Sequence, residues 1–297
     1  MFNFLGGLIN FILLLVFVAF FVLLERNILG LIQQRKGPNK VGIFGLLQSF
    51  TDLIKLIIKV NKNTFYNYRS IIGFIGVNIL LVGTIFFCYL HYLFFSGSEV
   101  IFFFLFILLI GSLTSYSILF VGLGSLNKFS YLGSIRSSFT ALCYEGALMC
   151  FILFLAYCNN TYSGFLFYLN ETNFNSFYLI WPFYLTGLIL LFCETNRTPF
   201  DYSESESDLV SGFNIEFGSV YFTCLFACEY LLCYIVCWIF SICFFSSPLF
   251  ICLSASLGCF ILIVVRAILP RFNYYSFVKL FWHHLIIYMS FYLLILL

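Results

Sequence analysis

The sequence predicts an all-α polytopic membrane protein, with eight transmembrane helices and one amphipathic helix in a single domain covering residues 1–297. Apolar residues make up 63% of the chain and charged residues 9%, whereas soluble domains carry about 25% charged residues. Apolar stretches near the roughly 20 residues needed to span a bilayer recur along the chain. All 14 Lys and Arg residues fall in four stretches, 26–69, 128–136, 197 and 266–279.

The predicted spans and their connections follow from this partition. The spans are 2–24, 70–94, 100–122, 139–157, 177–193, 217–245, 248–265 and 280–297. Basic residues lie after the first, third, fifth and seventh spans, and the other connections hold none. Because basic loops stay on the inner side, both termini are expected on the outer side. The first span lacks the basic start and cleavage site of a signal peptide.

The first inner connection contains a predicted amphipathic helix over 43–59. Its polar residues recur at steps of four, three and four, on one helical face: Gln48, Asp52, Lys55 and Lys59. Such a helix lies in the headgroup plane with its apolar face down. It is either an anchor on acidic lipid or a cover over a pocket or partner-binding surface.

Two carboxylates, Glu145 and Glu229, interrupt predicted spans. A charged side chain at mid-bilayer costs at least ~2.5–3.5 kcal/mol on insertion scales, and such residues usually mark proton or ion pathways. The alternative is a structural hydrogen bond between helices.

The fifth connection is strongly acidic. Six carboxylates face the single cation Arg197 between residues 194 and 216: Glu194, Asp201, Glu204, Glu206, Asp208 and Glu216. Coupled carboxylates with different proton affinities suit a proton relay. A solvated acidic loop is the alternative, but the flanking apolar residues favour burial.

The remaining candidates are basic or potential metal ligands. Arg266 and Arg271 end the seventh span, either as topology anchors or as ligands for the polar head of an amphiphile. The 12 Cys lie scattered in apolar stretches, and these look like small buried hydrophobes: Cys88, Cys150, Cys224, Cys228, Cys233, Cys237 and Cys259. His283 and His284 are adjacent, so they should point about 100° apart on a helix. We expect no metal or cofactor on this chain.

Several motifs occur in order from residue 25 to residue 272. They are Glu25-Arg26, RKGPNKVG at 35–42, Tyr144-Glu145, ETNRTPFD at 194–201, ESESDLVSGFNIE at 204–216, Glu229-Tyr230 and the arginine-bearing segment 266–272. Together they resemble the chain 1 family of membrane subunits of respiratory NADH–quinone oxidoreductase, complex I. Asn27, where the family usually has Lys, and Asp208, where Glu is usual, depart from the pattern.

The resemblance implies a subunit that joins the redox arm to the proton-pumping membrane arm. It implies a ubiquinone tunnel lined by Glu25, Arg26, Arg35, Lys36, Asp52, Lys55, Arg266 and Arg271. It also implies an acidic path of Glu145, Glu194, Asp201, Glu204, Glu206, Asp208, Glu216 and Glu229 toward the pumps.

The same resemblance implies the protein's surroundings. Ubiquinone is the expected substrate, and flavin and iron–sulfur clusters belong to partner subunits. The expected partners are soluble quinone-module subunits, neighbouring small membrane subunits and lipid, and not nucleic acid. High Phe and Tyr content (43 and 20 residues) suggests AT-rich organelle DNA. We therefore expect a mitochondrial inner-membrane protein with both termini in the intermembrane space.

Two other functions share some of these features. A stand-alone proton-coupled transporter or channel also predicts intramembrane acids, but not the basic, amphipathic first connection. A b-type cytochrome needs two pairs of facing His ligands, and the chain has 3 His in total.

Overall fold

A computed structural model describes residues 2–59, 68–159, 161–165, 177–203, 212–245 and 247–296. Within these ranges the regular structure is entirely helical. The helices are α1 (Phe2–Ile32), α2 (Gln48–Ile58), α3 (Tyr68–Phe95), α4 (Phe103–Gly124), α5 (Lys128–Asn159), α6 (Phe177–Glu194), α7 (Ser219–Phe244), α8 (Pro248–Ile268), α9 (Tyr274–Lys279) and α10 (Ile286–Leu296). A 3₁₀ turn covers Gly212–Asn214, and a π-helical turn, Leu280–Leu285, joins α9 to α10.

The helices confirm an all-α polytopic membrane protein. Seven helical segments of the described chain are long and apolar enough to cross a bilayer, counting α9, the π turn and α10 as one. The eighth, α6, is shorter, with its described apolar part over Phe183–Glu194. Its shortness agrees with the short fifth apolar segment of the sequence.

Several helix ends differ from the apolar segments. α1 continues to Ile32, so Glu25 and Arg26 lie in a helix and do not open a loop. α5 begins at Lys128 instead of residue 139, so the basic stretch after the third span is mostly helical. A prediction from hydropathy leaves out these helical turns because they carry polar side chains. The turns are nevertheless helical because those side chains find partners inside the fold.

The amphipathic helix is shorter than predicted, since α2 starts at Gln48 and not at residue 43. Gly42 and Gly45 precede it with positive φ values of 67° and 78°. This left-handed backbone favours Gly and is incompatible with a continuous α-helix. A Cβ at Gly45 would also collide with the carbonyl of Pro38, so the chain turns tightly here.

α3 and α4 approach each other closely at Gly76. A Cβ added at Gly76 would lie 2.8 Å from both the carbonyl oxygen of Ser117 and the amide nitrogen of Val121. Backbone cannot move aside as a flexible side chain can, so only Gly permits this approach. Small residues commonly allow such contact between membrane helices.

The main core surrounds α7. Trp238 of α7 is 1% exposed and packs edge-to-face on Phe94 of α3 and Phe103 of α4. α1, α3, α6 and α8 all pack against α7. This arrangement brings the ends of α1, α6 and α8 to one region, where the charged residues gather.

Candidate functional site

Glu25 is the centre of a buried charged cluster. Its side chain is 7% exposed, and it is the first charged residue of α1. Arg266 of α8 forms an ion pair with the Oε1 atom of Glu25, and Arg197 approaches the same oxygen at 3.5 Å. The hydroxyl of Tyr230 donates to Oε2 at 2.6 Å. One carboxylate thus joins α1, α7, α8 and the segment after α6.

Arg197 is held on two sides. Besides Glu25, its guanidinium carbon lies 4.3 Å from the ring centroid of Tyr230, a cation–π distance. Burial alone would lower the pKa of Arg197, but Tyr230, Cys233 and Glu25 raise it well above its ordinary value. The guanidinium is therefore permanently charged.

A small cavity lies against this cluster. Glu25, Arg197 and Arg266 provide its polar groups, and the rest of its wall is Phe21, Cys233, Leu262 and Ile263. Few polar groups in an apolar wall are typical of sites that orient a mostly apolar ligand. The cavity has a volume of about 10 Å³, room for about one water molecule.

Arg26 connects α1 to the amphipathic helix. Its Nη1 atom lies 2.6 Å from Oδ2 of Asp52, and Gln48 donates to the other Asp52 oxygen at 2.9 Å. The two ions are 43% and 32% exposed, so the pair contributes little energy and mainly sets orientation. The polar face of α2 therefore meets the end of α1.

Arg271 and Asp201 extend the charged region. Arg271 Nη2 lies 3.4 Å from Asp201 Oδ2. The same segments are joined by a hydrogen bond of 3.1 Å from the Phe272 amide to the Pro199 carbonyl and by stacking of Phe200 on Phe272. Beside them, burial raises the pKa of Tyr202, so this phenol stays neutral at physiological pH.

Three predicted tunnel residues lie on the exposed surface. Arg35 and Lys36 follow α1, and Lys55 lies on α2. Arg35 donates from Nε to Gln33 Oε1 at 2.8 Å. The described protein does not bring these side chains to the Glu25 cavity, whose wall they do not contribute to.

Glu145 and Glu194 line a second, larger cavity between α3, α4, α5, α6 and α7. Ser115 of α4 donates to Glu145 at 3.1 Å, and the hydroxyl of Tyr144 hydrogen-bonds to Glu194. The other lining residues are almost all apolar, and the cavity has a volume of about 70 Å³. The two carboxyl groups also interact electrostatically.

The other predicted acids are dispersed. Glu229 lies on α7 within electrostatic range of Arg197, one residue before Tyr230. Glu216 is exposed and accepts a hydrogen bond from Asn127, away from the cavity of Glu145 and Glu194. Glu204, Glu206 and Asp208 lie outside the described residues.

The comparisons with known proteins agree with one another. A family model described as NADH dehydrogenase matches residues 6–297. The chain is 35% identical over 295 residues to NADH-ubiquinone oxidoreductase chain 1 of Apis mellifera ligustica, covering 97% of this chain and 94% of that protein. Chain 1 of Anopheles gambiae is 36% identical, with 93% and 89% covered, and that of Myxine glutinosa is 35% identical, with the same coverage.

The chain belongs to the NADH dehydrogenase family. It is a membrane subunit of respiratory complex I and a multi-pass protein of the mitochondrial inner membrane. The resemblance inferred from the motifs is confirmed.

Sequence reasoning missed three members of these sites in this family member. Arg197, Tyr230 and Tyr144 occur in the sequence motifs but were not among the predicted site residues, although each stands next to or near a predicted acid. Arg197 carried a signal, because it is the one cation within the acidic connection. The sequence signal for the two tyrosines was weaker: each is the direct neighbour of a carboxylate inside an apolar span.

Proposed function

We propose that this complex I subunit forms the access tunnel for ubiquinone and an acidic path that couples quinone reduction to proton translocation. The Glu25 cluster carries the proposal. It places a carboxylate, two guanidinium groups and a phenol against an apolar-walled cavity. The relatives' name, NADH-ubiquinone oxidoreductase chain 1, supports ubiquinone as the substrate.

The chemistry of a quinone suits this arrangement. A quinone has two carbonyl oxygens on its head group and a long apolar tail. Its site therefore needs a few hydrogen-bond donors in an otherwise apolar channel. In the proposal, Arg266 and Arg197 provide charge at the inner end of that channel. Arg26, Arg35, Lys36, Asp52 and Lys55 surround its mouth, where α2 presents exposed Ile54 and Ile57 to a soluble partner subunit.

The acidic path is proposed to start from the charged cluster and reach the larger cavity. Thr195 follows Glu194, and its carbonyl contacts Cys233 Sγ at 3.9 Å, so the end of α6 touches α7 beside Arg197. Glu229, Glu194 and Glu145 would be successive proton-binding groups. Asp201, Glu204, Glu206, Asp208 and Glu216 would supply the path from the matrix side.

The orientation is part of the proposal. The basic connections would face the matrix, with both termini in the intermembrane space. Soluble quinone-module subunits would then cover the charged side, and small membrane subunits would flank the helices. The family matches argue against a stand-alone transporter, because the matched relatives are named as one chain of an oxidoreductase.

Replacing the arginines tests the tunnel. Arg35→Ala and Arg271→Ala should each raise the KM for ubiquinone about tenfold or more in the assembled enzyme, since a charged hydrogen bond contributes about 1.5–3 kcal/mol. NADH oxidation with an artificial acceptor should not change. Lys128→Ala, an exposed basic residue at the start of α5, is the matched control. An unchanged KM in both arginine variants would remove these side chains from the tunnel.

Glu229→Gln tests the acidic path. The amide keeps the side-chain shape but cannot release a proton. We expect assembly to remain intact and quinone-coupled proton translocation to be lost, measured as protons moved per electron pair in reconstituted vesicles. A fully coupled Glu229→Gln enzyme would reduce Glu229 to a packing residue.

A further inference from the structure

Tyr230 stands directly behind the wall of the Glu25 cavity. Its ring packs edge-to-face on Phe21, its hydroxyl donates to Glu25, and its ring face lies beneath the guanidinium group of Arg197. All three of these neighbours line the cavity, and Tyr230, which is 4% exposed, does not. Any effect of Tyr230 on a ligand in the cavity must therefore pass through the side chains that it holds.

The hydroxyl of Tyr230 divides the two oxygens of Glu25 between different partners. Oε2 accepts the hydrogen bond of 2.6 Å from the phenol. Oε1 is the oxygen that Arg197 and Arg266 both contact, each through its Nη1 atom. Because Oε2 is already engaged, the carboxylate does not form the bidentate pair that guanidinium and carboxylate groups favour. Glu25 therefore holds each arginine at one nitrogen atom.

This arrangement keeps hydrogen-bond donors of the two arginines beside the cavity. A guanidinium group carries several N–H donors, so a contact with Glu25 through one nitrogen atom leaves donors on the others. Arg197 and Arg266 both line the cavity, which has room for about one water molecule and can therefore take a single oxygen atom of a ligand. A carbonyl oxygen is an acceptor, and a charged donor forms the stronger hydrogen bond with it.

A second contact of Tyr230 orients Arg197. The guanidinium carbon lies 4.3 Å from the centroid of the Tyr230 ring, and the face of an aromatic ring attracts a cation. The Tyr230 ring itself contacts Phe21 and Phe226, with centroid distances of 5.6 and 4.6 Å. Such packing fixes the side chain that supports a site. Tyr230 thus orients the carboxylate through its hydroxyl and one guanidinium group through its ring.

We infer that Tyr230 is a positioning residue for quinone binding. By engaging Oε2 of Glu25, it keeps donors of Arg197 and Arg266 available to a carbonyl oxygen of the quinone. The inference rests on the proposed quinone function and adds to it a residue that does not touch the ligand. Without the hydroxyl, Glu25 can turn both of its oxygens toward one guanidinium group. The bidentate pair then withdraws donors from the cavity, which weakens quinone binding.

Tyr230→Phe tests the inference, because it removes the hydroxyl and keeps the ring beneath Arg197. In the assembled enzyme, the KM for a short-chain ubiquinone should rise about tenfold, the effect of losing a hydrogen bond to a charged group. The kcat should change much less, because the loss is one of binding. Tyr234→Phe is the matched control. It deletes the same group one helical turn farther along α7, where the ring packs on Phe17 at a centroid distance of 4.5 Å, and its KM should equal that of the wild type.

A double-variant cycle tests whether Tyr230 acts through Glu25. Glu25→Gln removes the carboxylate that the phenol orients, and it should raise the KM for ubiquinone by itself. Adding Tyr230→Phe to Glu25→Gln should then change the KM by less than about twofold, because the two residues act as one unit and their effects do not add. An undiminished effect of Tyr230→Phe in the Glu25→Gln background would overturn the inference, since the tyrosine would then act independently of the carboxylate.

The outcomes distinguish the role of Tyr230 from the tunnel itself. An unchanged KM in Glu25→Gln would contradict the proposed tunnel at this cavity. A raised KM in Glu25→Gln together with a wild-type KM in Tyr230→Phe would overturn the role of Tyr230 alone. Failure of Tyr230→Phe to assemble, when Tyr234→Phe assembles normally, would also overturn it, because the hydroxyl would then serve folding and not binding. If Glu25→Gln does not assemble, the KM values of Tyr230→Phe and Tyr234→Phe still decide.

Discussion

Glu25 and Glu194 are two carboxylates of one protein with opposite surroundings. Glu25 has two guanidinium groups and a phenol around it. Glu194 has the Tyr144 hydroxyl, the carboxyl of Glu145 and apolar walls, and it forms no ion pair within the described residues. A carboxylate compensated by two guanidinium groups joins the segments that carry them. An uncompensated carboxylate is costly as an ion, so it is suited to taking up and releasing protons.

The largest effect is expected from removing the compensated carboxylate. Glu25→Ala leaves Arg197 and Arg266 with uncompensated charge. Breaking a buried pair costs about 3–5 kcal/mol, and the partial exposure of Arg266 favours the lower end. The thermal inactivation midpoint and the amount of assembled complex on native gels should both fall sharply. The exposed acid Glu99 provides the control Glu99→Ala, and equal stability of the two variants would contradict the role of the cluster.

Glu194→Gln should show the reverse behaviour. Because no ion pair is lost, assembly and thermal stability should remain close to wild type. Quinone-coupled turnover should fall about a hundredfold, the lower range for loss of a group that transfers protons. Steady-state NADH:ubiquinone activity and a vesicle pH indicator would measure it, with Glu99→Gln as control. An unstable Glu194→Gln variant whose quinone reduction stays coupled to proton translocation would contradict this contrast between Glu194 and Glu25.

The smallest effect should come from Ser115→Ala. Its hydroxyl, which has one proton to donate, lies 3.1 Å from Glu145 Oε1 and 2.7 Å from the carbonyl oxygen of Ser112. Losing one such hydrogen bond costs about 0.5–1.5 kcal/mol. We expect a turnover change of a few-fold and no change in assembly. Ser112→Ala, whose hydroxyl donates to the Leu109 carbonyl, is the matched control. Identical kinetics for the two variants would mean that the Ser115 bond does not tune Glu145.

The fold was largely predictable because the bilayer imposes a simple rule on composition. The spans followed from hydropathy and from the positions of Lys and Arg. The ends of α1 and α5 did not, because Glu25 and the serines of α5 are polar in sequence but buried in the structure. Ser130, Ser134 and Ser137 each donate to a carbonyl three residues back, which satisfies the hydroxyl inside the helix.

The sequence indicated which types of residue form the site, but it did not indicate which of them interact with one another. Intramembrane acids stand out against an apolar sequence, so Glu145 and Glu229 could be found from pattern alone. The partners of Glu25 could not be found in this way, because Arg197 and Arg266 are 172 and 241 residues away along the chain. The π turn Leu280–Leu285 also left no local signal in the sequence.

The contact at Gly76 limits which amino acids can replace this residue during evolution. The alanine Cβ would strike the α4 backbone at 2.8 Å, and larger side chains would need still more room. Every missense change in that codon therefore has to push two membrane helices apart. We therefore expect inherited substitutions at position 76 to be excluded by steric clash, although Gly76 contacts no charged residue and lines no cavity in the described part of the chain.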